Sequence, residues 1–222
     1  MAINLARLTK AQILELHSGR CSHGHRYTSH LQCAEREIDW MVEKIGFLDI
    51  EASHLKANWG IMLTWCVKPE NDDEILWGAI SEADIEADIE DRRITEELVR
   101  VMRKFDRVCG YYSTRFDIPF IRTRALVNKV EFPVYGEIYH TDLYYQARRL
   151  LQLHSNRQGV VAETLIGTTE KTAIKPTYWT AALRGKRDAI AEVLDHNKRD
   201  VRDLERIFHV LKPFGRMMGR SL

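Results

Sequence analysis

Long apolar runs, low-complexity segments and internal repeats are all absent from this sequence. No apolar run approaches the length of a membrane span, and the opening MAINLARLTK has no apolar stretch like that of a signal peptide. A strong charge of one sign is absent too, since 33 Lys and Arg residues face 32 Asp and Glu residues. Bulk charge therefore does not indicate nucleic-acid binding, and any basic surface would have to be local.

Cysteine is scarce, with four residues in a chain of 222. We expect a cytoplasmic protein without membrane association, in which these thiols stay free or bind metal and do not form disulfides. The hydrophobic content of 45% and the charged content of 29% are typical of a soluble globular protein. A chain of this length predicts one substantial domain with at most a small appendage.

The order of the periodic segments predicts an α/β fold. A short helix over residues 9–17, with Thr9 as its N-cap, precedes a Cys/His-rich loop. The main domain begins near Lys44 with three apolar runs on short connections, GFLDIEA, WGIMLTWCVKP and EILWGAI, which predict antiparallel strands. Helical and strand-like segments then alternate, which predicts a mixed five-stranded sheet flanked by helices. We divide the chain into an N-terminal helical arm (1–43), an α/β domain (44–210) and a basic tail (211–222).

Two acidic residues interrupt the first predicted strand. Asp49 and Glu51 are two positions apart in GFLDIEAS, so their side chains project from the same face. Two like charges side by side near the end of a buried strand cost free energy unless they share a proton or bind a cation. The pair is therefore a candidate metal site.

Two further acids lie at positions that could converge on this pair. Asp117 follows the fourth predicted strand, where an ordinary helix-start Asp is the alternative, and Asp200 lies four residues after His196 on one face of a late helix, where an exposed charged helix is the alternative. Four converging carboxylates would bind two Mg²⁺ or Mn²⁺ ions about 3.5–4 Å apart, the arrangement that hydrolyses phosphodiesters. His196 would then take a proton from the attacking water.

Three segments resemble a known family. In chain order, FLDIEAS, GYYSTRFDIPFI and HNKRDVRDLERIF resemble the motifs of the DEDD (DnaQ-like) 3′-5′ exonuclease superfamily, close to a predicted exonuclease branch of bacteria and phages. The resemblance covers roughly residues 44–210. It implies a ribonuclease H-like fold, in which three antiparallel strands are followed by parallel ones, and metal-dependent removal of nucleotides from a 3′ end. By position, the metal-binding acids would be Asp49, Glu51, Asp117 and Asp200, with His196 as the general base.

The motifs also indicate substrate contacts. Ser113 occupies a position where the family often has Asn, and we expect it to contact substrate or backbone. Phe116 could stack on a terminal base and Lys171 could contact substrate phosphates, although core packing and a solvated lysine are the ordinary alternatives. His196 has the spacing of the tyrosine in the family's Tyr-x-x-x-Asp motif. Asp142, at a predicted strand end, is interpreted as supporting structure.

The implied partner is a nucleic acid with a free 3′ end, with DNA favoured over RNA, and a replication or repair protein is a further possible partner. Two other functions stay open. One is a structure-selective endonuclease on the same fold, because the motifs do not state how a strand end is held. The other is a catalytically inactive nucleic-acid-binding or adaptor module.

A dense Cys/His segment lies in the N-terminal arm. CSHGHRYTSHLQC contains Cys21, His25, His30 and Cys33 at the spacing of paired ligands of a structural zinc ion, with His23 as an alternative to His25. A polar surface loop with two incidental thiols is the other interpretation. Because a closed four-ligand site leaves no position for substrate, we expect a structural Zn²⁺ here and no second catalytic centre.

Overall fold

The computed structural model describes residues 9–38, 43–170, 173–215 and 220–222. The chain forms two compact units, residues 1–43 and residues 44–222. Within the ranges described, no helix has both the length and the apolar composition needed to cross a membrane.

The first unit contains two short helices, α1 (Lys10–Ser18) and α2 (Leu31–Glu37), and a 3₁₀ turn between them at Tyr27–Ser29. Thr9 caps α1, as predicted, because its side chain accepts a hydrogen bond from the Gln12 backbone N–H while the Gln12 side chain accepts one from the Thr9 N–H. The buried apolar residues that pack together in this unit are few: Leu16, Ala34 and Ile38, with Tyr27 against them.

The second unit is built on one mixed sheet. Its strands are β1 (Ile45–Ala52), β2 (Met62–Pro69), β3 (Leu76–Ala79), β4 (Arg107–Gly110), β5 (Tyr139–Asp142) and β6 (Arg220–Ser221). The strand order is β3-β2-β1-β4-β5-β6, in which β1, β2 and β3 pair antiparallel and β4 and β5 continue parallel to β1. The predicted mixed five-stranded sheet is confirmed. β6 is an additional edge strand that pairs antiparallel with β5.

Helices cover both faces of this sheet. They are α3 (Glu82–Glu86), α4 (Arg92–Met102), α5 (Asp117–Val127), α6 (Leu143–Leu150), α7 (Gln158–Ile166), α8 (Pro176–Ala182) and α9 (Arg187–Leu211). One core joins the sheet to α4 and α5, and another joins it to α6, α7 and most of α9. The long segment from 186 onward is a single helix of 25 residues, so one rigid element carries the whole third motif.

The predicted basic tail, residues 211–222, is described in part. α9 continues to Leu211, and a 3₁₀ turn follows at Lys212–Phe214. Leu222 is buried in the core, and its N–H donates to the Ile138 carbonyl at 3.1 Å. Residues 216–219 lie outside the described ranges. Residues 220–222 therefore cover the β5 edge of the sheet, and the apolar side chain of Leu222 gains burial there.

Candidate active site

The alternation of side chains along β1 positions the first two acids. Leu48 and Ile50 face the core beneath α4 and α5, whereas Phe47 faces α9, where its ring packs against Phe208. Asp49 and Glu51 continue the face of Phe47 towards the strand's end and are only half-buried. The same face thus changes from apolar packing to carboxylates at the point where β1 reaches the edge of the core.

The helix α9 brings His196 and Asp200 to this pair. Both side chains are buried, and His196 Nε2 lies 3.5 Å from Glu51 Oε1 and 3.9 Å from Asp200 Oδ2. One ligand atom from each of Glu51, His196 and Asp200 lies within 4.8 Å of the other two. The spacing of four residues places the imidazole directly above the carboxylate on one helix face. The exposed charged helix is therefore the wrong alternative for this segment.

The first residue of α5 supplies the fourth carboxylate. Asp117 is buried, and its Oδ1 accepts a hydrogen bond from the Ile50 backbone N–H at 3.1 Å, between the two acids of β1. Burial raises the pKa of Asp117 to about 7 against the opposing effect of backbone hydrogen bonds, and the charges of Asp142 and Asp200 add to the increase. A cation beside this carboxyl would favour its ionised form.

One open cleft of about 1010 Å³ is lined by all five of these residues, Asp49, Glu51, Asp117, His196 and Asp200. Its other walls are aromatic and polar, and they come from the β4–α5 connection, α6 and the segment that leads into α7. They include Tyr111, Tyr112, Phe116, Tyr144, Asn156 and Gln158. The lining of the cleft therefore combines carboxylates with aromatic rings. This combination suits a substrate that carries both phosphates and rings.

The donor atoms of the cleft fit the expected divalent cations. Carboxylate oxygens dominate, and hard cations such as Mg²⁺ and Mn²⁺ prefer oxygen ligands. The raised pKa of Asp117 fits as well, since a carboxyl that is costly to ionise alone is the type that a cation stabilises.

The predicted substrate contacts have different outcomes. Phe116 lines the cleft, as a base-stacking residue would have to. Ser113 does not: it is fully buried, and its hydroxyl lies 2.8 Å from His140 Nε2. The expectation for Ser113 was a contact with substrate or backbone, and in the structure its hydroxyl makes an internal hydrogen bond with His140. Lys171 lies outside the described residues.

Asp142 supports the β4–α5 connection, which confirms its predicted role. Its carboxylate accepts hydrogen bonds from the backbone N–H groups of Tyr112 at 2.9 Å, Thr114 at 2.9 Å and Tyr144 at 3.0 Å. Tyr112 has a φ of 59°, a left-handed conformation that is unfavourable for an aromatic residue. The hydrogen bonds to Asp142 stabilise this conformation, which presents the half-exposed Tyr112 ring at the cleft.

Two residues that were not predicted from the sequence make hydrogen bonds to the acids of the site. Asn197 is fully buried, and its Nδ2 donates to Asp49 Oδ2 at 3.2 Å. Gln158 is buried at the start of α7, and its Nε2 donates to the Asp200 carbonyl at 2.9 Å. Asn197 could have been found as the polar residue next to His196 in the third motif. No local pattern marks Gln158.

A separate cluster of Cys and His side chains lies in the first unit. One ligand atom from each of Cys21, His23, His30 and Cys33 lies within 4.8 Å of the other three. The structure therefore puts His23, and not the predicted His25, in this cluster. The His25 ring packs against the His30 ring at a centroid distance of 4.4 Å. Residues 21–25 form a closed turn, in which the Cys21 N–H donates to the His25 carbonyl at 2.9 Å.

Comparison with known proteins agrees with this architecture. The model of the RNase_H superfamily matches residues 46–212. The chain belongs to the RNase H superfamily. Among solved structures, this RNase H-type chain is similar to the family B DNA polymerase from the hyperthermophilic archaeon Pyrobaculum calidifontis, with a TM-score of 0.63 and 20% sequence identity. The match covers 78% of this chain but only 25% of the polymerase chain, and at this identity it shows the fold alone. No curated protein matches the sequence.

Proposed function

We propose that this protein is a metal-dependent 3′-5′ exonuclease that hydrolyses the phosphodiester bonds of nucleic acid, with DNA favoured over RNA. The observation that supports it most directly is the convergence of Asp49, Glu51, Asp117 and Asp200 on one cleft, with His196 beside Glu51. Membership of the RNase H superfamily supports a nuclease. The three motifs that resemble the DEDD superfamily support attack at the 3′ end.

The four carboxylates would hold two Mg²⁺ or Mn²⁺ ions. When bound, such ions activate a water molecule and stabilise the charge that develops on the phosphate oxygens. The protein's part is to hold the carboxylates in place before the substrate arrives. Asn197 orients the Asp49 carboxylate, and the Ile50 N–H orients the Asp117 carboxylate. Hydrogen bonds from the protein therefore limit the positions of two of the four acids.

His196 is the general base in this proposal. Its ring lies in the cleft, with Nε2 3.5 Å from Glu51 Oε1 and 3.9 Å from Asp200 Oδ2. A histidine suits proton removal near neutral pH. Because His196 and Asp200 are four residues apart on one helix, the backbone holds the proposed base and its neighbouring carboxylate on the same face.

The walls of the cleft would hold the strand end. Tyr112 and Phe116 offer aromatic surfaces on which a terminal base could stack, and stacking of this kind tolerates every base. The cleft is open to solvent, which would allow a chain of nucleotides to enter. The shared fold with a DNA polymerase supports DNA as the substrate and a replication or repair protein as a partner.

The test uses matched single- and double-stranded DNA and RNA, labelled at either the 3′ or the 5′ end, with Mg²⁺ or Mn²⁺. We expect 5′-labelled DNA to give a ladder of progressively shorter products, while 3′-labelled DNA releases its label at once. Asp49→Ala should abolish both signals. Discrete internal cuts would instead indicate the endonuclease, and bound but uncut strands with either metal would indicate a module without hydrolysis.

A further inference from the structure

We infer that the first unit contains a zinc site. In this site one Zn²⁺ ion is bound by Cys21, His23, His30 and Cys33 and closes the loop between α1 and α2. This site is separate from the acidic cleft and does not depend on the proposed nuclease activity. Its donors are two thiols and two imidazoles, a soft set that selects zinc over the magnesium or manganese proposed for the cleft.

The distances between the donor atoms fit a tetrahedral ion. Cys21 Sγ lies 3.9 Å from His23 Nδ1 and 3.7 Å from His30 Nδ1, and Cys33 Sγ lies 3.5 Å and 3.4 Å from the same two nitrogens. Zinc bonds of about 2.3 Å to sulfur and 2.0–2.1 Å to nitrogen, at a tetrahedral angle, require sulfur–nitrogen separations of about 3.5 Å. All four measured separations lie within 0.4 Å of that value.

The backbone presents these donors as two pairs. The Gly24 N–H donates to the Cys21 carbonyl at 2.7 Å, and the Cys21 N–H donates to the His25 carbonyl at 2.9 Å, so residues 21–25 form a closed turn. Gly24 takes a φ of 81°, which allows the turn to close behind the first pair, Cys21 and His23. The second pair, His30 and Cys33, is three residues apart where α2 begins, and the Cys33 N–H donates to the His30 carbonyl at 3.0 Å.

Hydrogen bonds outside the cluster keep the two pairs facing each other. The Glu37 carboxylate accepts from the Ser22 N–H at 2.9 Å, from the Ser22 hydroxyl at 2.7 Å and from the Tyr27 hydroxyl at 3.2 Å. Ser22 lies between the first two donors, and Glu37 is the last residue of α2. This contact therefore ties the turn to the helix that supplies His30 and Cys33.

The apolar core of this unit is too small to explain its fold. Three buried residues, Leu16, Ala34 and Ile38, form the cluster among the described residues of 1–43. Each ordered residue costs roughly 1–2 kcal/mol of backbone entropy, and units below about 40 residues usually need a metal or disulfides. Cys21 and Cys33 are thiols in the structure, so a disulfide does not supply this stability. A bound ion would, because the free energy of zinc binding becomes free energy of folding.

The role of the ion is structural. All four positions of a tetrahedral zinc are taken by side chains, which leaves none for a substrate. On binding, the two thiols lose their protons to solvent and coordinate as thiolates, while the two imidazoles bind in their neutral form through Nδ1. We therefore expect zinc affinity to fall as the pH is lowered, because protons then compete with zinc for the thiolates.

The test measures the metal content of the full chain purified without added chelator. We expect about one zinc ion per chain, and about one in Asp200→Asn, whose substitution lies in the acidic cleft. His23→Ala and Cys33→Ser should each lower the zinc affinity by at least tenfold. His25→Ala is the matched control, a neighbouring histidine outside the cluster, and should keep its zinc.

Substitution of Co²⁺ for zinc gives a second readout that does not depend on variants folding. Bound Co²⁺ should show the visible absorption of a tetrahedral ion and the near-ultraviolet band of two thiolate ligands. Protein that resists proteolysis over residues 9–38 but contains no zinc and takes up no Co²⁺ would overturn the proposal. So would loss of zinc in Asp200→Asn, or loss in His25→Ala with retention in His23→Ala. A negative result in the nuclease assay leaves all of these readouts unaffected.

Discussion

Asn197 and Asp49 are 148 positions apart in the sequence, yet the Asn197 amide donates a hydrogen bond to the Asp49 carboxylate at 3.2 Å. The amide lies fully buried on α9, one residue after His196. This contact joins the first and third motifs, as does the approach of His196 to Glu51. It also constrains the direction of the Asp49 carboxylate, which lines the cleft.

The first prediction concerns this hydrogen bond. Asn197→Ala should lower the nuclease rate and raise the Mg²⁺ concentration needed for half-maximal rate, by about 10- to 100-fold, because residues behind metal ligands typically contribute that much. The measurement is a Mg²⁺ titration of exonuclease rate at saturating DNA. Lys198→Ala is the control, since the Lys198 side chain packs over the Trp77 ring and is directed away from the cleft. A wild-type Mg²⁺ requirement in Asn197→Ala would contradict the positioning role.

The second prediction concerns the general base. His196→Ala should reduce the rate by about 10²- to 10⁴-fold, the usual contribution of a positioned base, while DNA binding changes little. His196→Tyr should recover part of the loss, because tyrosine has this spacing in the related motif Tyr-x-x-x-Asp. Single-turnover rates and DNA dissociation constants separate the two effects. Equal rates for wild type and His196→Ala would show that His196 is not the general base.

The third prediction is a pH dependence of stability. The pKa of Asp117 is raised to about 7 in the folded protein, against about 3.9 for an unfolded Asp, so the folded state holds the proton more tightly. The protonated Asp117 contributes its full stabilisation below about pH 4, and this stabilisation is lost as the pH rises through about 7. Without added divalent cations, the free energy of unfolding in urea should therefore decrease across this range.

Asp117→Asn removes the titrating group and should flatten this part of the pH profile. Added Mg²⁺ should stabilise the wild type above pH 7, where the carboxylate is ionised, and should stabilise Asp117→Asn less. If the free energy of unfolding of Asp117→Asn changes with pH as it does in the wild type, the pH dependence of stability arises from other groups.

The fourth prediction concerns the buried ion pair that anchors α5. Asp91 is fully buried and accepts hydrogen bonds from the Arg124 guanidinium at 2.7–3.0 Å, from Asn128 Nδ2 at 2.9 Å and from the Met62 N–H at 2.8 Å. Asp91→Ala should cost about 3–5 kcal/mol of the free energy of unfolding, because it leaves Arg124 buried without its main partner.

Arg100→Ala is the matched control for this measurement, since Arg100 pairs with Glu96 on an exposed helix face at 3.2 Å. An exposed pair of this kind contributes about 0–1 kcal/mol, so the variant should unfold almost as the wild type does. A similar decrease in the free energy of unfolding in both variants would show that burial does not make the Asp91–Arg124 pair contribute more to stability than an exposed pair.

Much of the fold could be predicted from local patterns. The alternation in GFLDIEA predicts which side chains of β1 share a face, and the structure keeps Phe47, Asp49 and Glu51 on one side. Short connections predict antiparallel pairing of β1, β2 and β3, as observed. The additional strand β6 was missed because two residues at a sheet edge carry no periodic signal.

Side-chain directions in loops could not be predicted in the same way. Ser113 was expected to contact substrate or backbone, and the structure buries it against His140. His23 lies two residues after Cys21 and His25 lies four residues after it, and the spacing alone did not decide between them; the structure brings His23 to the cluster. A loop residue lacks the fixed period of a strand or helix, so its direction depends on hydrogen bonds that close the loop.

The sequence by itself determined two local relationships in the acidic site: the period of two that puts Asp49 beside Glu51, and the period of nearly four that puts His196 above Asp200. Both follow from backbone geometry within one element. Only the tertiary structure decided that these pairs share a cleft, that Asp117 lies between them and that Asn197 holds Asp49. Those contacts join residues far apart in the chain, and they depend on how β1, α5 and α9 pack around their cores.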